Sequence, residues 1–147
     1  MKKLEGDLIK LGKAGTFDVI VHGCNCFCTM GAGIAKGIKA EFPEAFEADK
    51  QTKSGDHSKL GTISYAKSNH LIVVNAYTQF HWRGNGPLAD YEAIRRAFRS
   101  VKASFSGKLI GYPAIGAGLA GGDWAVISAI IEEELQGEDH TYVVFKP

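Results

Sequence analysis

A chain of 147 residues, 45% hydrophobic and 22% charged, has the length and composition of one soluble folded domain with a substantial core. Its net charge of +1 gives no electrostatic case for a nucleic-acid or membrane-surface partner, and no apolar run approaches the ~20 residues of a membrane span. Glu5 and Asp7 interrupt any signal-peptide core behind the N-terminal lysines, so the expectation is a monomeric cytoplasmic domain covering 1–147.

The elements follow in chain order. "DVIVHGC" (18–24) is a β-branched run that reads as a buried strand. "GIAKGIKAEF" (33–42) spaces Ile34, Ile38 and Phe42 four apart, which predicts a helix, and Pro43 opens a second helical stretch through 53. "GTISYA" (61–66) and "HLIVVNAYT" (70–78) read as strands. "DYEAIRRAFRSVKASF" (90–105) starts on a capping residue and repeats apolar Ile94, Ala97, Phe98 and Val101, so it is a helix. A strand at 108–115, a helix at 123–135 and a closing strand at 141–146 complete the pattern. Strands alternating with helices, with continuous apolar strand sequences, predict an α/β fold whose sheet is covered on both faces. In such sheets ligands sit at the carboxyl ends of the strands.

Two glycine clusters, "MGAGIA" (30–35) and "IGAGLAGGDW" (115–124), each follow a strand and precede a helix. A loop entering a helix presents backbone N–H groups at the positive end of the helix dipole, and glycine lets the backbone approach an anion closely. Two such loops facing one another can hold a diphosphate. Neither is a P-loop, since no GK[ST] follows. "GAGLAG" (116–121) matches G-x-G-x-x-G by letter, but it lies too late in the chain to open a dinucleotide-binding βαβ unit.

All three cysteines fall at 24, 26 and 28, too close in sequence for a disulfide framework. With His22 they form a contiguous H-x-C-x-C-x-C run. Structural zinc sites draw ligand pairs from separated segments, so no metal and no cofactor is expected here. Cys24 and Cys26 read as small buried residues at a strand end. Asn25 differs, because an amide at a strand's carboxyl end can bond a ligand hydroxyl.

Together, "GDL" (6–8), "VIVHGCNC" (19–26), "MGAGIAKGIKAEFP" (30–43) and "IGAGLAGGDW" (115–124) resemble a macrodomain over nearly the whole chain. The likeness is greatest to small ADP-ribose-1″-phosphate phosphatases. The chain is also similar to terminal ADP-ribose glycohydrolases and DNA ADP-ribosyl glycohydrolase antitoxins. The resemblance implies a three-layer α/β/α fold with a mixed central sheet, binding ADP-ribose in a cleft over that sheet. It assigns the adenine end to Asp7 and Leu8, with Phe145 against the ring, and the distal ribose to Asn25. The diphosphate falls to Gly31, Ala32, Gly33 and Ile34 on one side. On the other side it falls to Gly116, Ala117, Gly118, Leu119, Ala120 and Gly121.

Three catalytic candidates result. His22 matches a histidine implicated in the phosphatase group and can activate water. Lys39 matches a lysine nucleophile of the terminal glycohydrolases. Asp123 caps the last long helix and is the nearest acid to that mechanism, although Ala120 occupies the position where the glycohydrolases carry their acidic partner. His81, Trp82 and Arg83 frame the mouth, where Arg83 can pair with a terminal phosphate. The expected activity is a metal-independent hydrolase removing phosphate from ADP-ribose-1″-phosphate. The alternatives are an ADP-ribosyl hydrolase acting on modified protein or nucleic acid, and a non-catalytic ADP-ribose reader.

Overall fold

The computed structural model describes residues 1–84 and 87–147; residues 85 and 86 lie outside the described residues. Its strands are β1 (Lys2–Gly6), β2 (Val19–Cys24), β3 (Ile63–Ser68), β4 (Leu71–Tyr77), β5 (Ile110–Tyr112) and β6 (His140–Phe145). Its α-helices are α1 (Leu8–Lys13), α2 (Gly33–Glu41), α3 (Pro43–Lys50), α4 (Tyr91–Phe105) and α5 (Trp124–Glu134). The strands form one sheet in the order β1-β6-β5-β2-β4-β3, parallel throughout except for the antiparallel β3–β4 hairpin.

The central strands carry the reason for this order. Val19, Ile20 and Val21 of β2, and Val73 and Val74 of β4, are all buried, as strands covered on both faces must be. Alternate residues face opposite layers. Val19, Val21 and Val74 join Ile94, Phe98, Val101 and Ile127 under α4 and α5. Ile20 and Val73 join Leu8, Ile38, Phe42 and Ala45 under α1, α2 and α3. The result is the expected α/β/α sandwich with a mixed sheet.

Local signals set most boundaries. Phe42 leaves helical geometry at φ −132°, ψ 71°, and Pro43 takes the first position of α3, so one apolar stretch becomes two helices. The strand predicted over 108–115 is only Ile110–Tyr112, because Pro113 has no N–H to continue the ladder. The β3–β4 turn places Asn69 at φ 54°, a left-handed conformation that asparagine tolerates. Nothing in the sequence reading anticipated β1 or α1. β1 is an edge strand paired only with β6, and its residues Lys2 to Glu5 are exposed. Among the described residues no helix is long and apolar enough to cross a membrane.

Candidate functional site

Because β2, β4, β5 and β6 run parallel, their carboxyl ends share one edge of the sheet, and three loops rise there. The loop from β2 to α2 and the loop from β5 to α5 form the walls of a cleft of about 650 Å³, and the loop after β4 closes one end with Gln79 and Trp82. Both glycine clusters meet at this cleft. Gly31, Ala32, Gly33 and Ile34 line it from one side, and Gly116, Gly118, Leu119 and Ala120 from the other. Asn25 lines it as well. Ala117 and Gly121 belong to the second loop but not to the cleft surface.

The wall made by α2 has one unsatisfied feature. Helices α1, α4 and α5 are each capped by an aspartate, Asp7, Asp90 and Asp123, whose carboxylates accept first-turn N–H groups. The cap position of α2 is Ala32, which has no side chain to do so. Its first-turn N–H groups therefore stand at the cleft without a side-chain acceptor, at the positive end of the helix dipole. Gly33 sits at φ +59°, a region that a branched residue enters only with strain. Across the cleft, Leu119 is 81% exposed, and a Cβ placed on Gly33 would lie 3.6 Å from its Cδ1. The two loops thus approach each other over the cleft.

The second loop is folded tightly onto itself. Gly122 N donates to Gly116 O at 2.7 Å, and Ala120 O accepts from Leu88 N at 2.7 Å, tying this loop to the one after β4. A Cβ on Gly122 would sit 2.6 Å from the Gly116 carbonyl oxygen, a backbone atom that cannot step aside cheaply. Gly122→Ala is expected to destabilise the protein by about 2–4 kcal/mol, read as a shift in the urea midpoint at unchanged slope.

Some expected residues stand elsewhere. His22 is buried in the sheet, 1% exposed, and does not line the cleft. Asn75 donates to Ala45 O at 2.9 Å and to Ser64 Oγ at 3.0 Å, which leaves its Oδ1 to accept from His22 Nε2 at 2.7 Å. Burial, partly opposed by that hydrogen bond, pulls the imidazole down to about 4. The expectation of a general base acting from His22 does not fit this geometry: the ring bonds inward, toward β4 and α3. Cys24 Sγ lies 3.6 Å from His22 Nε2, and burial pushes its thiol up. At neutral pH both groups are uncharged, so they form no thiolate–imidazolium pair. Lys39 is exposed on α2 with its ammonium 4.3 Å from the centre of the Phe46 ring, off the cleft walls. Asp123 is the α5 cap, accepting from Ala125 N at 2.9 Å.

The residues expected at the adenine end form a separate group. Gly6 pairs with Phe145 in the β1–β6 ladder, which brings Asp7 and the 71% exposed Phe145 ring to the same sheet edge as the cleft. Asp7 Oδ1 accepts from Ile9 N and Lys10 N, while the Leu8 side chain is buried in the core.

Among the lining residues that the sequence reading did not assign to the site, three carry polar side chains: Thr29, Thr78 and Gln79. Thr78 and Gln79 follow β4 at its carboxyl end, so the strand-end logic applied to Asn25 extends to them. Thr78 Oγ1 is buried without a hydrogen-bond partner among the described residues. Trp82 joins an aromatic group at the mouth, stacked on His81 at 4.0 Å and edge-on to Phe27 at 5.4 Å. The Arg83 guanidinium carbon lies 5.8 Å from the Trp82 ring centre. Among the described residues no group of three or more His, Cys, Asp or Glu side chains is arranged to hold a metal ion.

The Macro domain family model matches this chain over residues 21–131, a span that holds both glycine loops. The chain belongs to the Macro domain family. It is 38% identical over 141 residues to an uncharacterized 17.5 kDa protein of the tk-vs intergenic region of Enterobacteria phage T4, covering 90% of this chain and 88% of that one. It is 28% identical to the ADP-ribose glycohydrolase OARD1 of Bos taurus, covering 97% of this chain and 88% of that one. A structure of a protein of unknown function from Bacteroides thetaiotaomicron superposes with a TM-score of 0.84 at 27% identity, covering 99% of both chains. The macrodomain assignment also explains why the two loops are the densest glycine segments of the sequence: both are cleft walls.

Proposed function

We propose that residues 1–147 form one macrodomain that binds ADP-ribose and hydrolyses the bond at its 1″ position, with ADP-ribose-1″-phosphate as the preferred substrate. The observation that carries the binding is the uncapped start of α2 facing the second glycine loop: N–H donors and a helix dipole converge where a diphosphate would lie. In this reading Gly31 to Ile34 and Gly116 to Gly121 enclose the diphosphate. Asp7, the Leu8 backbone and Phe145 receive the adenine. Similarity to a protein named as an ADP-ribose glycohydrolase supports hydrolysis at the distal ribose.

Transfer of the 1″-phosphoryl group to water, with the ribose 1″ oxygen leaving, fits a cleft lined by neutral donors. No lysine, aspartate, glutamate or histidine lines it among the described residues, so its donors are backbone N–H groups, amides and hydroxyls. Arg83, beside the cleft-lining Trp82, is a cation that could pair with a terminal phosphate. Lys39 over Phe46 and Asp123 in its cap are poor candidates for a covalent lysine mechanism. The same neutral lining favours a second reading, a reader that binds ADP-ribose without turnover.

Ligand present at 100 times its dissociation constant is expected to add about 2.7 kcal/mol to the unfolding free energy. No thermal shift at millimolar ADP-ribose would remove the binding proposal. Phosphate release is then measured with ADP-ribose-1″-phosphate, beside ADP-ribosylated protein and ADP-ribosylated DNA, each with a chelator control. Release from the first alone supports the phosphatase. Binding with background turnover on all three leaves the reader.

A further inference from the structure

Behind the cleft wall, the loop between β2 and α2 rests on a buried lysine. Lys59 ends a short 3-10 turn (His57–Lys59) ahead of β3 and is only 7% exposed. Its ammonium donates to Cys26 O at 3.2 Å and to Cys28 Sγ at 3.5 Å, and it stands 4.6 Å from the centre of the Tyr77 ring. Lysine is rarely buried without an acidic partner. Among the described residues no carboxylate forms an ion pair with this one. Asp49, in the same cluster, accepts from the Tyr77 hydroxyl at 2.7 Å through Oδ1, and its Oδ2 is buried with no hydrogen-bond partner among the described residues.

The three cysteines differ in what they face. Cys24 and Cys26 are buried, and burial pushes both thiols up. The Cys26 Sγ donates to Gln79 O at 3.6 Å. Cys28 is half-buried and adopts φ 57°, a strained left-handed conformation for a residue with a side chain. It is absent from the cleft lining. Its Sγ turns instead to the 49–59 segment, where it lies 3.2 Å from Asp49 O and 3.5 Å from both Thr52 Oγ1 and Lys59 Nζ. The strained turn thus holds the one partly accessible thiol against a lysine nitrogen, the two most oxidisable atoms of the cluster.

We infer that Cys28 and Lys59 form an oxidative modification site, at which dioxygen joins Sγ to Nζ through a single bridging oxygen. The present gap closes when the flexible lysine stem moves by about 1 Å. Sulfur and nitrogen each give up an electron pair, and dioxygen accepts both pairs. One of its oxygen atoms enters between Sγ and Nζ. The other leaves as water, carrying the thiol hydrogen and one hydrogen from nitrogen, while the remaining ammonium proton passes to solvent. Excess dithiothreitol reverses the step, since a thiol attacks the bridged sulfur and further thiol equivalents return the amine. The bridge ties the loop that carries Gly31 and Gly33 to the segment ahead of β3, so the oxidised and reduced proteins differ in how this cleft wall is anchored.

Intact-mass and tryptic-peptide spectrometry of the full chain tests this, on protein held in oxygen-saturated buffer and on protein kept anaerobic with reductant. The oxygenated wild type is expected to gain the mass of one oxygen less two hydrogens, and to lose that gain in dithiothreitol. Trypsin should no longer cut after Lys59, leaving peptide 54–67 joined to peptide 14–36 with the link at Cys28. C26S should form the bridge like wild type, whereas C28S and K59R should not. The location of the link in wild type stands as the readout even if K59R fails to fold. Wild type that stays unlinked in oxygen would overturn the inference. So would Cys28 oxidised to its sulfur acids with Lys59 still cleaved by trypsin, or the same mass gain in C28S, or a link that maps to Cys24 or Cys26.

Discussion

Gly118→Val is expected to weaken ADP-ribose binding at least about 100-fold, some 2.7 kcal/mol, while leaving the melting temperature within about 2 °C of wild type. The contrast with its neighbours makes this site the cleanest test of where the diphosphate lies. A Cβ at Gly118 meets nothing within 4 Å, so the folded chain accepts a side chain there. A Cβ at Gly116 would meet Ala89, Ile127 and Ile94 side chains at 3.1 to 3.3 Å, on a backbone at φ +73°, and would disturb the fold as well as the ligand. Gly33 also carries a positive φ. At Gly118 the only space a valine takes is cleft space. Calorimetric titration and a thermal melt on the same preparation read the two quantities separately. A variant that binds within threefold of wild type would mean that the diphosphate does not pass between the two glycine loops.

The second large effect is on acid stability. His22 is pulled down to about 4 by burial, against an ordinary value of 6.5. Between those two values the unfolded chain binds a proton on this ring and the native chain does not. Stability is therefore fully present above pH 6.5 and falls as the pH drops toward 4, by up to about 3 kcal/mol from this ring. His140, lowered by burial and held against the Tyr112 hydroxyl at 2.7 Å, acts in the same direction. Asp49 works the other way. Burial raises its carboxyl, so it costs more stability as the pH rises above the ordinary aspartate range. Urea titrations at pH 7.5, 5.5 and 4.0 give the total, and the same series on His22→Asn isolates one ring. Its curve should be flatter between pH 6.5 and 4 than that of wild type. Parallel curves would show that His22 titrates normally, and the case for an inward-bonded neutral ring would fail. A histidine serving as a base in the cleft would instead lose turnover with little change in this slope.

Much of the fold was legible because the buried elements write their surroundings into their sequence. Val19 to Val21 and Leu71 to Val74 are apolar on consecutive positions since both faces are covered, and Ile94, Ala97, Phe98 and Val101 keep helical spacing since only one face of α4 is. β1 has no such signature: its sequence KKLEG sits exposed on the sheet edge, and its partner β6 lies at the far end of the chain. The glycine loops were legible for a different reason, as strand-to-helix junctions with little side chain. Their convergence is a consequence of parallel strands. What sequence could not supply was side-chain direction. His22 and Asn25 lie three residues apart at the end of one strand, and both read as ligand-facing. The ring of His22 is claimed by Asn75, which is 53 residues away, and the amide of Asn25 by Thr29, four residues on. Nothing local distinguishes a histidine that finds a buried amide from one that finds solvent. Thr29, Thr78 and Gln79 went unremarked because hydroxyls and amides are ordinary in loops, and only the cleft sets them apart.

The bare start of α2 ties the order of one helix to occupancy. Ordinary helix caps contribute about 0.5–2 kcal/mol, and α2 has no such side-chain cap at Ala32. On the proposed reading, an anion at Gly33 would complete the hydrogen bonding that Ala32 leaves undone, and the ligand would become part of the secondary structure as well as an occupant of the cleft. The first turn of α2 is then the segment with the least to lose by fraying before binding and the most to gain on it. Selection for a better-capped helix at this position, by a serine or aspartate in place of Ala32, would act against the site: the added oxygen would compete for the same N–H groups. On that reading Ala32 would leave the local stability of α2 conditional on the ligand.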